Sequence, residues 1–254
     1  MMISMRKRYR YDIYVHTHIY IHINNNKNNQ NLVDRCDTDF AMEYLENEAR
    51  QSFPIKETSL IIILVSMLYA HVKHRTKVDR ELETLCRIGV VSFVRVTETD
   101  WGVVRRDRLI LEYSQLIKNQ DDKVQFFESF LGRQNRVVNL QDEMETQDEK
   151  IRISRLQGLG FIIKPRERVS EFRSWLITPR LKYFRHNLVK GRSELWTKHL
   201  SRVRSRRISK KRVLSIKLFS TWLSSKFLLK DAIGRGVLTE LDPSGSETYY
   251  RIAS

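Results

Sequence analysis

One local pattern occurs three times in this 254-residue chain, and it restricts what the chain can fold into. Leu82, Leu85 and Ile88 precede Gly89, which is followed by Val90 and Val91. Ile153, Leu156 and Leu159 precede Gly160, followed by Phe161 and Ile162. Leu229, Ala232 and Ile233 precede Gly236, followed by Val237 and Leu238. Each time, apolar residues sit seven and four positions before the glycine, which is the spacing of one helix face. The glycine stands where a left-handed residue stops a helix. Beyond it the apolar period shortens from about 3.6 to 2, the period of a strand.

A hairpin is expected after each glycine. Residues 90–96 and 102–104 flank a polar turn at 97–100. Residues 161–164 and 172–178 flank a turn around Pro165. Residues 237–241 and 247–252 flank Asp242-Pro-Ser-Gly245, where Pro presets φ and Gly tolerates a positive φ. Helical segments are expected upstream of each glycine: 41–50 and 55–69, then 123–130 and 140–146, then 192–203 and 211–219. The third helix of the last unit is expected over 225–235. Helix, helix, helix, hairpin in about 60–75 residues is the layout of a winged-helix unit, a variant of the helix-turn-helix. The expected fold is therefore α+β, mainly α, with three tandem winged-helix domains at 41–119, 120–179 and 180–254. The alternative is one irregular α+β domain.

Residues 1–40 differ from the rest. His16, His18 and His22 alternate with apolar residues, and an Asn-rich tract follows at 24–31. Such a tract buries little apolar surface, so a disordered leader is expected. The three histidines lack a fourth ligand, and no metal is assigned to them. An apolar, uncharged segment, residues 59–72 (SLIIILVSMLYAHV), is 14 residues long. A spanning helix needs roughly 20, so this run is expected to be a buried helix. The basic N-terminus has no apolar stretch after it of the kind a secretory signal carries. Two cysteines, Cys36 and Cys86, are too few for a disulfide framework or a four-thiolate zinc site.

The formal net charge is +16, and it is localised. Residues 41–179 hold 22 basic and 21 acidic residues, whereas 180–254 hold 18 and 5. Residues 180–217 alone hold 14 basic residues and one acidic residue. Like charges this dense resist burial. They suit displacement of counterions from a phosphate backbone, that is, double-stranded DNA or RNA. The expected phosphate contacts are Lys182, Lys190, Arg192, Lys198, Arg202, Arg204, Arg206, Arg207, Lys210, Lys211 and Arg212. Base reading is expected from helix 225–235 through Lys226 and Lys230. An anionic membrane is the weaker partner, because aromatic and aliphatic residues are not interleaved there at amphipathic spacing. The run RSRRISKKR also suits nuclear import.

No catalytic constellation is present. The close glycine pairs, 158/160 and 234/236, do not extend to a phosphate-binding loop, and His74-Arg75 is followed by Thr76 rather than Asp. No Walker A, His-Glu-x-x-His or Gly-x-Ser-x-Gly pattern occurs. The expectation is a non-enzyme with no cofactor and no small-molecule substrate. Of the four tryptophans, Trp175, Trp196 and Trp222 are expected in the core. Trp101 is expected at an exposed turn tip.

Over about residues 40–254 the chain resembles the serine/threonine-protein kinase 19 family. The carrying segments are Asp79-Arg-Glu-Leu82-Glu-Thr-Leu85 with Gly89, Lys182-Tyr183-Phe184 with Val189-Lys190-Gly191-Arg192, and Asp231-Ala-Ile233-Gly with the final hairpin. The resemblance implies three winged-helix domains. Despite the family's name, it implies a nuclear DNA-binding protein without a kinase fold, acting in transcription-coupled nucleotide excision repair with proteins assembled on stalled RNA polymerase. It carries over Lys182, Lys190, Arg192 and the basic positions between Lys198 and Arg212 as DNA contacts. Two other readings stand beside it: a protein kinase, as the family name says, and a protein-binding scaffold whose basic run is only an import signal.

Overall fold

The fold is described from a computed structural model over residues 36–52, 60–116, 137–139, 154, 157–158, 162–163, 173–176, 181–241 and 247–253. The His/Asn-rich leader, the expected helices at 123–130 and 140–146, Gly160, and the Pro165 and 242–245 turns lie outside them. The chain is α+β and mainly helical, with small antiparallel sheets.

The first group of elements is α1 (Asp37–Ser52), β1 (Ile63–Leu64), α2 (Val65–His71), α3 (Arg75–Arg87), β2 (Val91–Arg95), β3 (Trp101–Arg105) and α4 (Arg106–Leu116). Val78, Leu82 and Leu85 make the buried stripe of α3, as their spacing predicts. Gly89 then adopts φ 79°, the left-handed stop, and Gly236 does the same at φ 78°. The 59–72 run is not one helix. Leu60–Ile62 lie outside regular structure, Ile63–Leu64 pair with β3, and only Val65–His71 are helical. Consecutive β-branched residues favour the extended chain locally, and β3 offers an open edge for them. The Arg105 guanidinium bonds Asp39 (2.6 Å) and Glu46 (3.2 Å), joining β3 to α1. Helix α1 begins at Asp37, four residues before its expected start.

Short strands β4 (Val137–Asn139), β5 (Ile162–Ile163) and β6 (Arg173–Leu176) form a second sheet. The last group is α5 (Leu181–Glu194), which continues as a π-helix (Leu195–Leu200), then β7 (Arg207–Ser209), α6 (Lys210–Leu214), α7 (Ser225–Gly234), β8 (Leu238–Leu241) and β9 (Tyr249–Ile252). Helix α5 starts eleven residues before the expected 192, and α6 stops at Leu214 rather than 219. Ser209 and Ser224 cap α6 and α7, accepting hydrogen bonds from Arg212 N and Phe227 N.

Each of the three sheets has three strands in one order: β1-β3-β2, β4-β6-β5 and β7-β9-β8. The expected hairpins supply two strands of each. The additional strand comes earlier in the chain and always pairs with the hairpin's second strand. These leading strands are two or three residues long, too short to show an alternating pattern in sequence.

The two larger groups meet where α7 crosses α2. Backbone approach is so close at Gly234 that an added Cβ would lie inside the Ser66 carbonyl. Leu228, Leu229 and Ala232 of α7 and Met67 and Leu68 of α2 are buried in one continuous core. Gly234→Ala is therefore expected to lower unfolding free energy by about 1–3 kcal/mol or more. Gly158→Ala, where nothing lies within 4 Å of the new methyl, should stay within about 1 kcal/mol of the parent. Urea denaturation of the two variants measures the difference.

Candidate nucleic-acid interface

The basic residues separate into two populations. Arg192 lies inside the contact between the two groups of elements, its side chain 16% exposed. Its Nε and Nη2 each bond Asp231 at 2.7 Å, and its Nη1 and Nη2 bond Asp100 at 2.7 and 3.2 Å. Asp231 belongs to α7 and Asp100 to the turn before β3. Two forked pairs of this kind are the strong form of the Arg–carboxylate interaction. Ser66 Oγ donates to Asp231 at 2.7 Å and Thr97 Oγ1 to Asp100 at 2.5 Å, so both carboxylates are further satisfied. Burial opposes the charge on Asp100, yet hydrogen bonds from Arg192 and Thr97 outweigh it and hold the carboxyl below its ordinary range. Burial likewise opposes the charge on Arg192, and the two carboxylates overcome it and raise the guanidinium's pKa.

Lys226 and Lys230 are committed in the same way. Both pair with Glu48 of α1, Lys226 at 2.5 Å. Lys230 also stands over the Tyr44 ring, 4.7 Å from its centroid. Burial pushes Lys230 down, the Glu48 contact only partly offsetting it. Helix α7 was expected to read bases through these two lysines. Instead its apolar face and its acidic Asp231 are turned into α2 and its lysines onto α1, so it is a packing helix in this arrangement. Arg192 thus leaves the set of expected phosphate contacts and Lys230 that of the expected base readers, while Lys226, though paired with Glu48, keeps half its side chain exposed. The physical reason is that a cation which is itself enclosed and bonded to a carboxylate is held in the fold rather than offered to a phosphate.

The remaining expected contacts are on the surface. Lys182 and Lys190 are exposed on α5. Lys198 is exposed on the π-helix and bonds Glu194 one turn back at 3.0 Å. Arg202 and Arg204 lie in the turn that follows, and Arg206 holds φ 51°, a left-handed conformation rare for a residue with a side chain. Arg207, Lys210, Lys211 and Arg212 are exposed on β7 and α6.

The sheet adds a cation that the sequence pattern hid. Arg207 of edge strand β7 lies directly opposite Arg251 of central strand β9, and both are exposed. Like charges opposite one another across a sheet destabilise it unless an anion lies between them. The signal for Arg251 is absent from the sequence, because β7 itself was not legible.

Carboxylates that could quench this surface are few. Between Glu171 and Asp231 the only acidic residue is Glu194. It is buried, and its Oε2 accepts from Phe219 N (3.1 Å), Ser220 N (2.8 Å) and Ser220 Oγ (2.6 Å). Those Ser220 hydrogen bonds, with help from Lys198, draw its pKa from the ordinary 4.5 to about 2. The one acid of this stretch is therefore spent on fastening the 215–224 loop to α5.

Trp101, Trp196 and Trp222 depart from expectation, while the side chain of Trp175 lies outside the described residues. Trp101 is half-buried, edge-on to Phe93 at 6.4 Å and beneath the Arg95 guanidinium at 4.5 Å. Trp196 and Trp222, expected in the core, are exposed. No helix among the described residues is long and apolar enough to cross a membrane. Comparison with protein-family models and with curated proteins returns no match.

Two outcomes are expected. Arg192→Ala strands Asp231, whose side chain is 2% exposed, and should cost roughly 3 kcal/mol of stability in urea titration. It should leave the salt dependence of nucleic-acid binding unchanged. Glu194 is depressed in the folded state, so its contribution is complete above about pH 4.5 and is lost as pH falls towards 2. The amide resonances of Phe219 and Ser220 should accordingly titrate together well below pH 4.5, and Glu194→Gln should abolish that step.

Proposed function

We propose that the chain is a non-enzymatic nuclear DNA-binding protein of three winged-helix units that grips the phosphate backbone with its third unit. The winged-helix reading is supported by the shared strand order, in which the leading strand of each sheet pairs with the second strand of the hairpin. Units one and three also share the order helix, strand, helix, helix, strand, strand. The family resemblance carries the wider role, a repair adaptor acting with proteins of the stalled-polymerase complex. RSRRISKKR would then serve import as well as contact.

The observation that carries the grip is the distribution of carboxylates. Arg202, Arg204, Arg206, Arg207, Lys210, Lys211, Arg212 and Arg251 are exposed, and the acidic residue of 180–230 is turned inward. Cations that no internal carboxylate neutralises can replace the counterions condensed on a phosphate backbone, and the release of those counterions drives binding. These are positioning contacts, independent of base sequence. With α7 packed away, sequence reading through its lysines has no part in this mode. Protein partners fall to the near-neutral remainder, residues 41–179.

Fluorescence anisotropy of labelled duplex DNA at several salt concentrations tests the proposal. With about six phosphates engaged, log K should fall against log salt with a slope near −5. Changing Arg204, Arg206, Arg207, Lys210, Lys211 and Arg212 together to Ala should flatten that slope towards zero. Equal binding by both proteins would sink the grip and leave the import signal as the use of the run.

A further inference from the structure

The loop at 215–224 is fastened more firmly than a connector requires, and yet it holds large apolar rings out in water. Phe219 is 85% exposed, Trp222 49%, and Tyr183 on the adjoining face of α5 is 74% exposed. Three points pin the loop. The Glu194 carboxylate takes the Phe219 and Ser220 amides and the Ser220 hydroxyl. The Asn187 side chain accepts from Trp222 N at 3.3 Å and donates to Tyr183 O at 2.9 Å. Leu223, just beyond, is buried in the core.

Positions 183, 187, 190 and 194 fall on one stripe of α5. The loop runs along it in reverse, with 222 beside 187 and 219–220 beside 194. The backbone at Tyr183, Trp222 and Phe219 is thus laid out along eleven helical residues, roughly 16 Å. Polar groups separate them: Asn187, Ser220 and Thr221. Trp222 leans on Phe184, ring centroids 6.5 Å apart and tilted, and leaves about half its surface to water, while Phe219 stands almost wholly exposed. Exposed ring faces set between polar groups suit planar partners, whereas a membrane-inserting surface needs contiguous apolar area. The flanks are cationic, with Lys182, Arg185, Lys190 and Lys217 exposed, and the carboxylate of this stretch lies buried beneath the loop. Planar faces in a row beside a track of cations are the two components that bind single-stranded nucleic acid.

We infer that unpaired nucleic-acid bases stack on Phe219 and Trp222, with Tyr183 extending the row, while the neighbouring phosphates lie against Lys190 and Lys217. This rests on the third unit's being a nucleic-acid surface and specifies the form it prefers: a strand with unstacked bases rather than an intact duplex. The Glu194 clamp prepays the ordering of the loop, so the rings are presented without a folding step on binding.

The test uses the full chain, a labelled duplex, and the same duplex with a central run of mismatched, unpaired bases. Parent protein should bind the unpaired form at least tenfold more tightly. Phe219→Ala, at a side chain that contributes little to packing, should reduce that preference on the order of tenfold, the usual effect of losing one stacked ring. Phe219→Ala with Trp222→Ala should abolish it, while duplex affinity and its salt slope stay at parental values. Equal affinity for the two DNAs, or a preference that survives the double variant, overturns the platform and leaves the backbone grip standing. Loss of duplex binding alone, with the Phe219-dependent preference for unpaired bases intact, would overturn the grip and keep the platform. Vesicles of anionic phospholipid serve as the competing ligand. Binding to them that is lost in Phe219→Ala, without an effect on unpaired DNA, would reassign the rings to a membrane surface and end the proposal.

Discussion

The Arg192 guanidinium, held between Asp100 and Asp231, is the interaction around which the rest is arranged. It joins helix α5, helix α7 and the β2–β3 turn at one point. Asp231 is also bonded by Ser66 of α2, next to the place where Gly234 meets the Ser66 carbonyl. A charge this enclosed is tolerable only when every polar atom near it is answered. That demand fixes the spacing of the helices, and the apolar residues of α2 and α7 fill what remains.

The same constraint shapes the outer surface. Asp231 and Glu194 are the acidic residues of 180–235, and both point inward: one neutralises Arg192, the other ties down the 215–224 loop. Inside the fold they hold helices and a loop in place. Outside it they leave a field of lysine and arginine with few counter-charges, including the cross-strand pair Arg207 and Arg251. Structural acids and surface bases are thus two consequences of one distribution, and a polyanion is the partner that this distribution suits.

Much of the fold was legible along the chain. Val78, Leu82 and Leu85, then Gly89 with its positive φ, behave as their spacing requires, and the third repeat does likewise at Gly236. Helix stops and hairpins depend on neighbours within a few residues, which a sequence displays. The leading strands β1 and β7 were not legible. Each is short, and each becomes a strand by pairing with a partner about 40 residues further on, Val103 and Tyr250 respectively. The 59–72 run departs from a single helix for the same reason: its apolar content promises burial, and burial alone does not choose between helix and strand.

The candidate site divides along that line too. Net charge and its concentration after residue 180 follow from composition, and no folding can alter them. Which cations face water was decided by tertiary contacts. Arg192 and Lys230 look in sequence like Lys190 or Arg204, but Asp100, Asp231 and Glu48 reach them from 39 to 182 residues away. The exposed row of Tyr183, Trp222 and Phe219 is likewise invisible along the chain, where aromatic residues are expected inside. It exists because Glu194 and Asn187 grip the backbone of a loop some 25 to 35 residues distant. Periodicity and charge count are local or additive quantities. Accessibility depends on which distant groups come within about 3 Å, and that is known only once the chain has folded.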